Sequence, residues 1–290
     1  MEQISVLNGR IWKTYSVSPL FGFDPQKSPR RLSYQLATHL ELEGGSQGDE
    51  VLFPVEIVKG FRGNREDHDG LQITVQKRSE SKPDEFKDVC KIYFLAVHSQ
   101  EVHLNSRVTV LPLCLAQGPE NLVQKILLIM SRQFDCVIYP LNLEPLDLKW
   151  MCALWSGTEA NTAEVDENFE KHQITKLIYA LPKNLQNNGV DHIDVKFTAD
   201  QIRAVWNEYV IKKTQLKKII INSTIFYYRL KRTDDMEMTE EDMESFHRVL
   251  DNYLREAFRI QFDQLTLSNI VLPTLSASSS GNVSLILNLK

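Results

Sequence analysis

Asp191, His192 and Asp194 bring two carboxylates and an imidazole within four positions, a grouping able to move protons. Strand alternation sets His192 and Asp194 on one face and Asp191 on the other. No nucleophile is identifiable beside them, so a solvated strand face accounts for the same residues. "EDHDG", Glu66 to Gly70, offers acids and a histidine to a metal, but Arg65 and the nearby glycine favour a solvated hairpin tip. Cys90, Cys114, Cys136 and Cys152 form no Cys-x-x-Cys pair and have no histidine at ligand spacing. We expect buried free thiols in a reducing compartment.

Other signatures of chemistry are missing. The sequence holds no phosphate loop, no Gly-x-Gly-x-x-Gly turn, no His-Glu-x-x-His pair and no Gly-x-Ser-x-Gly elbow. "DLKWMCALWSG", Asp147 to Gly157, places two tryptophans, a methionine and a cysteine together. On a helix Trp150 and Trp155 stand about 140° apart, which rules out one stacking platform. Its nearly continuous apolar surface predicts a core helix. Neither a catalytic residue, a metal site nor a cofactor is assigned.

Two short basic clusters could meet phosphate: Lys27, Arg30 and Arg31, and Lys59, Arg62 and Arg65. The densest basic stretch runs from Lys212, Lys213, Lys217 and Lys218 to Arg229, Lys231 and Arg232, with no acid between Val210 and Arg232. Such patches would have to act locally, because the net charge of −5 over 290 residues gives no global attraction to nucleic acid or anionic lipid. No apolar run nears the roughly 18 residues of a membrane span, and the first residues carry an acid where a leader would be apolar. A cytosolic or nuclear protein without a membrane partner is expected.

The elements that position these residues follow from periodicity. Ile4, Leu7, Ile11 and Tyr15 predict an opening helix, and Leu32, Leu36 and Leu40 a second one ending at Gly44-Gly45. "VLFPVEIV", "LQITVQ", "CKIYFLAVH" and "RVTVLPLCL" read as antiparallel strands. "PENLVQKILLIMSRQ" is a helix with Pro119 at its start, followed by the strand "FDCVIYPL". Farther on, "ITKLIYAL" and "HIDVKF" are strands, while Thr198 with Gln201, and Thr239 with Asp242, open helices as capping boxes. Met243, Phe246, Leu250, Leu254 and Ala257 form an apolar stripe. "RIQFDQLTL", "NIVLPTL" and "VSLILNLK" close the chain as strands.

The expected class is α+β: mainly antiparallel sheets with helices packed on one face, in two joined subdomains, residues 1–160 and 161–290. The strands of 260–290 are apolar and β-prone, so Val283, Leu285, Leu287 and Leu289 could offer an edge to another chain. Completion of an internal sheet explains them equally well.

"FDCVIYPLNLEPLDLKWMCALW" resembles the centromere protein L family in the order and spacing of Phe134, Asp135, Cys136, Pro140, Leu141, Leu148, Trp150, Met151 and Trp155. "WKTYSVSPLFGF" is similar to that family at Trp12, Tyr15, Ser16, Pro19, Leu20, Phe21 and Phe23, as is "LPLCLAQG" at Leu111 to Gly118. The resemblance implies a non-enzymatic inner-kinetochore subunit of the nucleus. Such a subunit would pair with centromere protein N, join other inner-kinetochore subunits, and help bind centromeric nucleosomes or DNA along a basic groove. Against that family, residues 211–233 read as an insertion, and a further hydrophobic segment would follow "VSLILNLK". The competing class is an enzyme of unrecognised type using His98, His103 and His192 in a pocket between the halves.

Overall fold

The structure, a computed structural model, describes residues 7–44, 51–61, 67–78, 85–96, 108–161, 174–183, 186, 189–220 and 239–285. The chain forms two compact units, one of Met1–Asn142 with Ser280–Lys290 and one of Leu143–Ser279. The division falls at 142/143, where the sequence suggested 160/161, and the last residues return to the first unit.

In the first unit the strands are β1 (Ile11–Val17), β2 (Leu20–Phe21), β3 (Val51–Leu52), β4 (Val55–Val58), β5 (Gly70–Arg78), β6 (Phe86–Leu95), β7 (Val108–Thr109), β8 (Leu113–Gln117) and β9 (Ile138–Pro140). Its helices are α1 (Ser28–Gly44) and α2 (Glu120–Gln133). β1 is where the opening helix was expected. "IWKTYSV" is rich in β-branched and aromatic residues, and its side chains serve two separate clusters. Tyr15 and Val17 point into the main core, while Trp12 packs with Leu7, Phe61, Tyr93 and Leu115. With both faces buried, the apolar-polar alternation that would have betrayed the strand is lost.

β1 runs antiparallel to β8, Tyr15 opposite Cys114, and also to β9. β8 continues to β6, β5 and then β3, all antiparallel. The main core joins Leu71, Ile73, Ile92 and Phe94 of the sheet to Leu32 and Leu36 of α1 and Val123, Ile126, Leu127 and Met130 of α2. Both helices thus cover one sheet face, as the antiparallel α+β pattern requires.

The second unit holds α3 (Pro145–Asn161), β10 (Ile174–Ala180), β11 (His192–Thr198), α4 (Ala199–Ile220), α5 (Glu240–Phe258), a 3-10 turn (Phe262–Gln264), β12 (Thr266–Val271) and β13 (Leu275–Ser278). β10 lies between β11 and β12, antiparallel to each, and β12 pairs with β13. Both capping boxes form. Thr198 N–H donates to Gln201 Oε1 at 2.8 Å and Gln201 N–H to Thr198 Oγ1 at 3.3 Å. Asp242 N–H donates to Thr239 Oγ1 at 3.2 Å, with the reciprocal bond also at 3.2 Å. The α5 stripe buries Met243, Phe246, Leu250 and Leu254, but Ala257 is exposed beyond the last covered turn.

The tryptophan-bearing segment is α3, and its burial is one-sided. Leu148, Cys152 and Ala153 are fully buried, Trp150 and Trp155 only half so, and Leu154 is 49% exposed. The fully buried core of this unit instead uses Trp206, whose ring lies 5.5 Å from that of Phe246.

The last strand, β14 (Asn282–Leu285), belongs to the first unit and runs antiparallel to β1, Trp12 opposite Val283. Gly281 makes this return possible. Its φ is +75°, and a Cβ there would stand 2.0 Å from the Leu141 carbonyl oxygen.

Candidate binding surface

α1 and α2 pack together in the first unit and leave a groove of about 320 Å3 between them. From α1 come Arg31, Gln35 and His39 at intervals of four, one stripe beside the buried Leu32-Leu36 stripe. α2 contributes Lys125, Leu128, Ile129, Arg132 and Gln133, at intervals of three and four. Leu40 is the remaining lining residue. The helices fold this way because each buries its leucine, isoleucine and methionine positions on the sheet and turns the adjoining face toward the other.

None of the nine lining residues is acidic, and three are lysine or arginine. The Gln133 amide nitrogen and oxygen are both shut off from solvent and have no hydrogen-bond partner in the protein. Leu128 is 49% exposed, so apolar surface stands open beside the cations. The groove therefore combines basic side chains with an apolar wall, while the unmatched Gln133 amide is closed to solvent. This arrangement suits binding of an anionic group and supplies no nucleophile.

The sequence had singled out Arg31, but with sequence neighbours. Lys27, Arg30 and Arg31 are all exposed at the start of α1, and only Arg31 lines the groove. Lys125, Arg132, His39, Gln35 and Gln133 were missed. The available signal was the repeat of polar residues flanking each apolar stripe, which says nothing about which two helices meet.

Lys59 is exposed after β4, while Arg62 and Arg65 lie outside the described residues. Asp69 Oδ1 accepts a 2.7 Å hydrogen bond from Gly60 N–H, closing the loop at its base. Lys212, Lys213, Lys217 and Lys218 are on α4, which continues through Ile220 into the suspected insertion. Residues 221–233 lie outside the described residues.

Val283 and Leu285 are half-buried on β14, Leu285 against the Trp12 cluster, and Leu287 and Leu289 lie outside the described residues. The main-chain groups of β14 on the β1 side are already paired at residues 282–284.

His192 touches Asp191 through Nδ1, and its Nε2 is 3.8 Å from Asp194 Oδ1. Asp194 also meets Lys176 Nζ at 2.5 Å across the β10–β11 pair, and this contact holds its carboxyl below the usual range. The His192 side chain is 53% exposed, on a solvated strand face. His98 and His103 lie outside the described residues. Among the described residues no three histidines, cysteines or acids gather around a common point. No helix among them is long and apolar enough to cross a membrane.

All four cysteines are buried free thiols. Burial pushes Cys90 and Cys152 up to about 12 and Cys114 well above its ordinary value. Such thiols are unsuited to nucleophilic work.

Comparison with known proteins gives one consistent answer. The family model described as centromere protein L matches residues 7–289. Centromere protein L of Gallus gallus is 23% identical over 97% of this chain and 75% of its own length. Those of Mus musculus and Homo sapiens are 20% and 21% identical, covering 99% and 98% of this chain and 80% and 76% of theirs. The match spans the strands, the helices and both units alike, and the chain belongs to the centromere protein L family.

Proposed function

We propose that the chain is a non-enzymatic subunit of the inner kinetochore, which pairs with centromere protein N and helps hold centromeric nucleosomes. It is a nuclear protein of the chromosome's centromere. The observation that carries this reading is the family match over residues 7–289, which spans both units. Other inner-kinetochore subunits are its further partners. Val283 and Leu285, with Leu287 and Leu289 beyond them, supply apolar contacts to centromere protein N. A stable interface of this kind buries upward of about 1,000 Å2.

DNA is held through its backbone. Lys27, Arg30 and Arg31 support this, all three exposed within one helical turn at the start of α1. The other basic candidates are Lys59, Arg62, Arg65, Lys212, Lys213, Lys217 and Lys218. Each phosphate neutralised adds about 0.9 to the slope of log affinity against log salt. Duplex binding by the pair with centromere protein N is the test. Charge reversal at Lys27, Arg30 and Arg31 together should weaken binding and flatten that slope by about 2 to 3. Unchanged affinity and slope would remove the cluster from the DNA path.

A further inference from the structure

The exposed face of α1 carries more than its cations. Lys27, Arg30 and Arg31 have no ion-pair partner among the described residues. Tyr34 stands four residues past Arg30 and three past Arg31, so the helical repeat sets it between the two arginines on one face. It is 75% exposed, the most open of the large hydrophobic side chains among the described residues. Its hydroxyl has no hydrogen-bond partner and its ring no aromatic or cationic neighbour among them. A phenol is a donor that fixes proteins on phosphate oxygens without reading sequence. From Arg30 to Tyr34 the helix rises about 6 Å, which lets both side chains serve neighbouring phosphates of one strand. One turn farther the surface changes. Thr38 Oγ1 already donates to the Tyr34 carbonyl at 2.9 Å, and acids enter α1 at Glu41 and Glu43. Gln35 and His39 line the groove beside α2. The stripe suited to phosphate therefore ends at Tyr34.

We propose, resting on the DNA reading above, that Tyr34 is a neutral backbone contact on the same duplex, its hydroxyl donating to a phosphate oxygen beside those held by Arg30 and Arg31. The N-terminal half of α1 then lies against one strand, and the contact stops before Thr38. The two kinds of side chain leave different signatures. Each cation releases counterions, so its share of the affinity falls with salt. A neutral donor releases none, so the share of Tyr34 is the same at every salt concentration.

The experiment uses the full chain, co-purified with centromere protein N, and a short labelled duplex followed by fluorescence anisotropy across a salt series. Tyr34→Phe removes the hydroxyl and keeps the ring, Tyr34→Ala removes both, and circular dichroism checks that each variant folds as the parent does. Tyr34→Phe should bind about threefold to tenfold more weakly at every salt concentration, with the slope of log affinity against log salt unchanged. Tyr34→Ala should be no stronger than Tyr34→Phe, and Thr38→Ala should bind as the parent does. Charge reversal at Lys27, Arg30 and Arg31, measured alongside, should flatten the slope. Parent-like binding by Tyr34→Phe overturns the contact. If the charge reversal still weakens binding in that case, the cluster reading stands without it, and if the reversal has no effect, both fall. Loss confined to Tyr34→Ala would mean that the ring, as on an unpaired base, makes the contact, and it overturns the proposal as well.

Discussion

His247 sits on α5 with only 4% of its surface exposed. Its Nε2–H donates to the Lys149 carbonyl on α3 at 2.9 Å, which assigns the neutral ring's tautomer. Burial, the dominant influence, pushes its pKa down to about 4. The carbonyl hydrogen bond opposes that shift, and the Lys149 charge adds to it. In the unfolded chain the ring titrates near 6.5. The folded state therefore refuses a proton that the unfolded state accepts, so stability is fully present above pH 6.5 and drains away as pH falls toward 4.

Two and a half pKa units correspond to about 3 kcal/mol once both states are below their titrations, and about 2 kcal/mol of this is gone by pH 5. The perturbation is His247→Gln, which keeps an N–H donor for the Lys149 carbonyl and removes the titration. Urea unfolding at pH 7.5 and pH 5, with exchange protection of α5 amides as a local readout, gives the comparison. The parent protein should lose about 2 kcal/mol more than the variant between those pH values. Parallel losses, or a His247 imidazole that titrates near 6.5 in the native protein, would refute the reasoning.

Three further outcomes follow from the packing. Gly281→Ala should cost at least about 2 kcal/mol, because the added Cβ meets the Leu141 carbonyl at a left-handed φ, and faster proteolysis of the last strand would register it. Thr239→Ala should cost about 1 kcal/mol in urea unfolding by removing the α5 capping box. A thiol reagent at pH 8 should label none of the four buried cysteines within minutes in the native protein and all four in denaturant. Rapid native labelling of Cys90 or Cys152 would contradict their burial.

The elements set by local patterns were legible. The α5 stripe and the Thr198 and Thr239 caps depend on residues three or four apart, so their signals survive without tertiary context. β1 was not legible, since Ile4, Leu7, Ile11 and Tyr15 happen to match the helical period. The true cause of the pattern, a strand buried on both faces, depends on helices and a second cluster elsewhere in the chain. The return of the last strand to the first unit was hidden for a related reason. β14 pairs with β1 although Val283 and Trp12 stand about 270 residues apart, a long-range choice that no window of sequence displays. α3 showed how far apolar composition reaches, since it marked a helix but did not tell the buried Cys152 side from the exposed Leu154.

The candidate groove was legible only as Arg31. Its other walls come from positions about 90 residues apart on two helices, and the unpartnered Gln133 amide exists only once they pack. The family, in contrast, was readable from "FDCVIYPLNLEPLDLKWMCALW", because motif order needs no coordinates.

The central claim is that this chain works as a subunit of a pair. Size-exclusion chromatography with light scattering, on the chain alone, on centromere protein N from the same source and on their mixture, tests it most directly. The mixture should elute as a single species with the summed mass of one copy of each. Two separate peaks at micromolar concentration, each with its own unpaired mass, would contradict it.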